Sequence, residues 1–363
     1  MKHLLDSYSG KKVLVTGNTG FKGGWLSSWL QSLGADVYGY SDSVLEKPSF
    51  FEVCDLKASY DTVFGSVEDL NSLNICIQKI KPDYIFHLAA QALVQPSYAN
   101  PAKTILSNAI GTMNLLECAR LSDHEMNLIL ITSDKVYKNN EWVWGYKESD
   151  EIGGDDPYSA SKGMAEIAIN SYFRSFLQSK KNIRLAIGRA GNVIGGGDWA
   201  KDRIIPDCIR AWSSGTDVNI RNPFSTRPWQ HVLEPVGAYL HLGSCLKQDI
   251  NLNGQAFNFG PPANQNHSVQ ELLEELSIHL PALSYKKYEG KSKQEAGLLK
   301  LNIDKALSLI NWEPALNFSE TVEFTAHWYK AHQNGTKKMH INTIEQINNY
   351  SNIAKHKGLN WIS

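Results

Sequence analysis

"KVLVTGNTGFKGGWL", residues 12–26, is the stretch on which the fold turns. A β-branched apolar run stops at Gly17, and Gly20 and Gly23 follow before a helix-like segment begins. Glycine permits a tight turn and lets backbone approach a pyrophosphate, which then sits at a helix N-terminus. The spacing is GxxGxxG, one residue wider than the GxGxxG dinucleotide fingerprint. Placed between a first strand and a first helix, it predicts a dinucleotide site.

The same rhythm continues outward. "DVYGY" (36–40), "TVFGS" (62–66), "YIFHLAA" (84–90), "LILITS" (128–133) and "IRLAIGR" (183–189) read as further strands. Their near-continuous apolarity suits parallel strands covered on both faces. Helical patterns separate them at 20–33, 69–80, 104–121 and 158–179. The order predicts an α/β fold, a doubly wound parallel sheet (Rossmann), with ligands at the carboxyl ends of its strands. After about residue 188 Gly, Pro, Trp and Arg cluster, and helices then dominate. "VLEPVGAYLHLGSCL" (232–246) reads as a helix returning to the first domain. The expected division is a dinucleotide-binding domain of 1–187 plus about 232–255. A smaller, discontinuous C-terminal substrate-binding domain takes about 188–231 plus 256–335, leaving 336–363 as a tail.

Bulk composition narrows the partners. The 363 residues carry 36 basic and 37 acidic side chains, a net charge of −1. That balance gives no long-range attraction to nucleic acid or an anionic membrane. Five scattered cysteines form no CxxC or Cys/His cluster, so neither a metal nor a disulfide framework is expected. The N-terminus lacks a signal-peptide core and no run reaches ~18 apolar residues, which predicts a cytoplasmic protein.

Two further stretches carry chemistry. "GYSDSVLEK" ends the second strand, and Asp42 stands near where an acid holds adenosine ribose hydroxyls, with Ser41 as the alternative. No basic residue follows before Lys47, which favours NAD over NADP. "DDPYSASKG" places Tyr158 and Lys162 on one helix face, about 6 Å apart along the axis. A phenol of pKa ~10 is a poor base at neutral pH, and an adjacent ammonium stabilises the phenolate.

With "HLAA" (87–90), Asn108 in "SNAIGTMNLLE" and a hydroxyl at Ser133 closing the next strand, the chain resembles the extended short-chain dehydrogenase/reductase family. The likeness covers residues 12 to about 330. It implies NAD as cofactor and a nucleotide sugar as substrate. Ser133 would hydrogen-bond the sugar 4-hydroxyl, Tyr158 would take its proton, and Lys162 would bind the nicotinamide ribose. Gly17, Gly20, Phe21, Gly23, Asp42, Ser66, Val67, Ala89 and Ala90 would line the cofactor. Asn108 would kink its helix beside the site. The family also implies a homodimer through the helices near 104–121 and 158–179.

The resemblance gives the next two residues a meaning that a turn does not. Epimerases of the family carry small or uncharged residues after the strand-end hydroxyl, whereas its nucleotide-sugar 4,6-dehydratases carry an acid pair, Asp-Glu. Here the pair is Asp134-Lys135. Oxidation at C4 acidifies the C5 proton, so a base can remove it while an acid protonates the departing C6 hydroxyl. Lys135 is either that base or a cation that stabilises the enolate. By the same likeness, "GRAGNVIGGGDWAKDRIIPD" and "STRPWQHV" line the substrate through Asn192, Arg203, Arg227 and His231. A C4 epimerase using Tyr158 alone is the rival expectation.

Overall fold

The computed structural model describes residues 2–44, 46–287, 298–335 and 338–362. Its centre is a seven-stranded sheet, every pairing of which is parallel. The strands are β1 (Lys12–Thr16), β2 (Asp36–Ser41), β3 (Asp61–Phe64), β4 (Tyr84–His87), β5 (Met126–Ile131), β6 (Ile183–Ala190) and β7 (Gln255–Phe259). Their spatial order is β7-β6-β5-β4-β1-β2-β3, so the winding reverses between β1 and β4. The doubly wound expectation holds, and the crevice at that reversal is where such sheets take ligands.

Alternation along each strand feeds two cores. Val13 and Val15 of β1 and Ile129 and Ile131 of β5 join one cluster. Leu14, Leu128 and Leu130 between them point to the other face and join a second. Each such aliphatic side chain, fully buried, contributes about 1.5–3 kcal/mol. Helices α1 (Phe21–Ser32), α2 (Leu70–Ile80), α3 (Gly111–Leu121) and α4 (Pro157–Tyr172) fall where the sequence pattern places them. Two π turns, Leu106–Ile110 before α3 and Phe173–Leu177 after α4, interrupt the expected helices.

The remaining helices of eleven residues or more among the described residues are α5 (Ile204–Ser214), α6 (Leu233–Gln248), α7 (Val269–His279), α8 (Phe318–Asn334) and α9 (Met339–His356). Three departures from the expected division are clear. The chain's return to the sheet continues past residue 255, because β7 pairs with β6 from Gln255 to Phe259. One core cluster runs through both expected domains and includes Phe257, Leu272, Trp312 and Trp328. The expected tail is built into it: Tyr350 of α9 meets Trp29 of α1 edge-on, and Trp361 is buried. Part of the second domain, 288–297, lies outside the described residues. Among the described residues no helix is long and apolar enough to cross a membrane, and no side-chain group is arranged to hold a metal. All five cysteines are free thiols.

Candidate active site

The end of β5 is both a turn and a site. Thr132 extends the ladder to Gly188, and Ser133 then caps a single 3-10 turn, Asp134–Val136. The Ser133 Oγ accepts the Lys135 amide at 3.2 Å and donates to Asp134 Oδ1 at 2.8 Å. Asp134 is almost fully buried. Space for its carboxylate comes from Gly191 at the end of β6, where a Cβ would stand 2.0 Å from Asp134 Oδ2. Lys135 is half-buried, and its ammonium has no hydrogen bond or ion pair among the described residues.

Helix α4 faces this turn. Asp156 caps it and Pro157 starts it, which sets Tyr158, Lys162 and Glu166 in one row. The Ser133 hydroxyl acts on the Tyr158 phenol across this gap. The expectation that Lys162 draws the phenol down is not met here: burial pushes Tyr158 up to about 12, opposed by Ser133 and reinforced by Asp134. Lys162 is itself pulled down to about 8 by burial, against the attraction of Glu166. In this state desolvation outweighs pair electrostatics.

Asn108 sits within the π turn before α3, as the expected kink requires. Its amide donates to Ser161 Oγ at 2.8 Å and Gln91 O at 3.0 Å, and accepts from the Gln91 amide at 2.7 Å. One side chain thus ties the loop after β4 to α4 between Tyr158 and Lys162.

Behind these groups lies a closed network. Arg189 grips Glu166 through Nε at 2.7 Å and Nη2 at 2.5 Å, and Thr132 Oγ1 donates to the same carboxylate at 2.6 Å. Arg189 also donates to Tyr137 Oη at 2.6 Å, and Tyr137 donates to Asn258 of β7 at 2.7 Å. Burial pulls the guanidinium down, yet the Glu166 and Tyr137 bonds more than offset it and hold Arg189 above its ordinary value.

The glycine loop has the shape a pyrophosphate needs. Gly17 has a left-handed φ of +74°, and a Cβ there would fall 2.7 Å from the Ala89 amide nitrogen. A Cβ on Gly23 would collide with Gly17 O at 2.1 Å, so α1 packs directly on the turn. Gly20, the N-cap, faces open space apart from Gly17 O at 3.4 Å. These features fit a dinucleotide at the amide end of α1. Ser41 is buried and donates to Asn18 Oδ1 at 2.9 Å, which leaves exposed Asp42 as the acid past β2. Ser66 and Val67 follow β3, with Val67 packed under Gly111. Ala89 and Ala90 follow β4, with the Ala89 amide on Thr16 Oγ1 at 3.2 Å.

On the other wall, Asn192 takes a left-handed φ of 44° directly after Gly191. Arg203 pairs with Asp198 at 2.9 Å and acts electrostatically on Tyr158. Arg227 lies on a short ribbon, Thr226–Arg227 against His267–Ser268, and donates to Thr226 O at 2.8 Å. His231 departs from the expectation. It has no exposed surface, meets Trp25 and Phe324 edge-on, and is pulled down to about 3 by burial. A side chain so enclosed packs the two lobes together and has no route to a ligand in this conformation.

Sequence reasoning missed Lys22, Glu166, Arg189 and Gly191. Lys22 carried a signal: it is the one charged residue of α1, and its i+3 and i+4 neighbours, Trp25 and Leu26, are apolar and buried.

A glycine cradle at the winding reversal, with a tyrosine and a lysine one helical turn apart beside a strand-end hydroxyl, defines a short-chain dehydrogenase/reductase site. The chain belongs to the GDP-mannose 4,6-dehydratase family, whose model matches residues 14–325. It is 40% identical over 348 residues to a CDP-glucose 4,6-dehydratase of Salmonella typhimurium, covering 94% of this chain and 97% of that protein. It is also similar to the solved epimerase of Methanothermobacter thermautotrophicus, with TM-score 0.76, 25% identity, and 92% and 96% of the two chains covered. The dTDP-glucose 4,6-dehydratase of Streptomyces venezuelae, solved with NAD bound, shares the fold at TM-score 0.76 and 21% identity, over 90% and 99% of the chains.

Proposed function

We propose that this chain is an NAD-dependent hydro-lyase that converts CDP-D-glucose to CDP-4-keto-6-deoxy-D-glucose. The observation that carries the reading is the buried Asp134 and its neighbour Lys135 at the same strand end as Ser133, opposite Tyr158. An epimerase working through Tyr158 alone has no use for them. The 40% identical relative supports the choice of nucleotide.

Bound NAD would supply the hydride acceptor for C4 and the hydride donor for C6. Gly17, Gly20, Phe21, Gly23, Asp42, Ser66, Val67, Ala89, Ala90 and Asn108 would hold or flank it, and Lys162 would bind its ribose. Tyr158 removes the proton of the sugar 4-hydroxyl, which Ser133 orients. Lys135 takes the C5 proton while Asp134, in its acid form, protonates the C6 hydroxyl, which leaves as water; once hydride is at C6, Lys135 returns a solvent-exchanged proton to C5. Asn192, Arg203 and Arg227 contact the nucleotide sugar.

The enzyme works as a homodimer in this reading. Leu106, Leu121, Met164, Ile167 and Phe176 stand exposed on the α3 and α4 segments, an apolar surface suited to a second copy. Light scattering that finds a dilute monomer removes the dimer. Five free thiols and the absence of a membrane-crossing helix among the described residues are consistent with a cytoplasmic site of action.

The test is mass spectrometry of products formed in D₂O from CDP-, dTDP-, UDP- and GDP-hexoses in turn, with NAD present. Loss of one water from the CDP sugar, with one solvent deuteron at C5, is the expected result. A product of unchanged composition makes the enzyme an epimerase. Dehydration of a different nucleotide sugar keeps the chemistry and replaces the substrate.

A further inference from the structure

Gly191 lies directly after β6 and against the turn that carries Asp134, and nothing in its own backbone asks for glycine. Its φ lies outside the left-handed region, unlike that of Asn192 beside it at 44°. The absent side chain is explained by a neighbour instead. A Cβ on Gly191 would stand 2.0 Å from Asp134 Oδ2, 2.2 Å from Cγ and 2.6 Å from Oδ1. All three of these nearest atoms belong to one carboxylate, so the glycine makes room for that group. Gly17 and Gly23 differ, since a Cβ on either would strike backbone.

The backbone on both sides of this contact is pinned. Gln230, itself buried, donates through Nε2 to Gly191 O at 2.9 Å and to Phe259 O at 3.1 Å. Its own amide donates to Asn192 O at 3.2 Å. Across the contact, the Thr132 amide donates to Gly188 O at 3.0 Å, and the Tyr137 hydroxyl is held by Arg189 at 2.6 Å and Asn258 at 2.7 Å. The Asp134 turn is therefore fixed at each end, and the part free to move is the carboxylate. Its Oδ1 accepts the Ser133 hydroxyl at 2.8 Å, while Oδ2 makes no hydrogen bond among the described residues. A methyl at 191 would force that group to retreat by more than about 1 Å to regain ordinary van der Waals separation. Misplacement on that scale costs a reaction step about 10²-fold. The fold, whose backbone stays in place, loses little.

We propose that Gly191 is a positioning residue for elimination. By lacking a side chain it seats the Asp134 carboxylate between Ser133 and the end of β6, and so decides whether a C4 ketone goes on to lose water. This rests on the reading of Asp134 as the acid that protonates the C6 hydroxyl. In this role Gly191 acts through Asp134 alone.

A double-variant cycle tests it, with wild type, Gly191→Ala, Asp134→Ala and the two combined. Each is given NAD and CDP-D-glucose, quenched, reduced with borodeuteride and analysed by mass spectrometry. The quantity read is the ratio of 4-keto sugar that keeps its C6 hydroxyl to 4-keto-6-deoxy product. It compares the fates of one ketone, so an unfolded fraction does not move it. Gly191→Ala should raise the ratio about 10- to 100-fold. Beside Asp134→Ala the same substitution should change it less than about twofold, because no carboxylate remains to displace. A Gly191→Ala ratio within about twofold of wild type overturns the proposal. An equal effect in both backgrounds also overturns it, because the methyl then acts on another group.

Thermal midpoints of the four proteins form a second cycle that needs no turnover. Gly191→Ala should lower the midpoint by up to about 4 °C alone and by less than about 1 °C beside Asp134→Ala. Equal depression in both backgrounds places the clash elsewhere and counts against the proposal. A wild type that makes no ketone from any of the four nucleotide hexoses sinks the functional reading, and the elimination role with it. The thermal cycle still tests the contact in that case, which keeps the two failures apart.

Discussion

Two clusters of charge lie on either side of the same turn of α4, and they are built on opposite principles. On one side Glu166 and Arg189 satisfy each other in a bidentate pair, with Thr132, Tyr137 and Asn258 completing the contacts. On the other, Lys22, Lys135 and Lys162 have no ion-pair partner among the described residues. A buried charge that the fold needs is closed by the fold, whereas a charge that chemistry needs is left open. The contrast supports the proposed site independently of any relative, because unpaired ionisable groups gather where the chemistry is proposed.

The largest effect should come from the open side. Tyr158→Phe removes the group proposed to deprotonate the 4-hydroxyl, so turnover should fall about 10⁴-fold. Calorimetric binding of CDP should persist, and a variant that still forms product at a tenth of the wild-type rate would falsify the role. Breaking the closed side should strike stability instead. Glu166→Ala leaves Arg189 buried and unpaired, at an expected cost of about 3–5 kcal/mol in urea unfolding. Replacing both, as Glu166→Leu with Arg189→Met, should recover most of it; if the double variant is as unstable as the single, the pair does more than balance its own charge.

Lys135→Ala sharpens the comparison further. Elimination should slow about 10²-fold while a 4-keto hexose retaining its C6 hydroxyl accumulates. The unfolding free energy should stay within about 0.5 kcal/mol of wild type, since no fold contact is lost. Near-normal dehydration in that variant rules out Lys135 as the base.

The smallest effect concerns a buried carboxylate that mixes both principles. Glu234 of α6 accepts the amides of Ala315 and Leu316 and the hydroxyl of Tyr350, yet burial pushes it up to about 7. The folded state therefore holds a proton that an unfolded glutamate releases near ~4.3. Stability should decline as pH rises through that interval, by about 1–3 kcal/mol in total. Glu234→Gln should flatten the slope in urea titrations at a series of pH values; an unchanged slope places its origin elsewhere.

Much of this was legible before any coordinates. Continuous apolar strands, punctuating glycines and the Tyr158–Lys162 spacing all express local rules. β7 escaped because "QAFNF" is short and carries two polar residues, Gln255, which donates to Asn251 O, and Asn258, which bonds Tyr137 and Tyr146. The last helix escaped because its buried face, with Ile347, Tyr350 and Ala354, is diluted by Asn and Gln. His231 misled for the opposite reason: a histidine in an Arg- and Trp-rich loop looks like a ligand contact, and only packing shows it enclosed by Trp25 and Phe324. Tyr158 shows the same limit in energetic form. Spacing predicts its neighbour, but the balance between desolvation and attraction depends on how deeply both are buried.

The lock between α9 and α1 also has a meaning in time. Trp29 emerges from the ribosome about 320 residues before the Tyr350 ring that covers it. At typical elongation rates of ~5–20 residues per second, the interval is on the order of tens of seconds. Throughout it the glycine-loop helix presents an unsealed aromatic surface to solvent or to a chaperone. The glycine-loop helix of this molecule is thus made long before it is sealed.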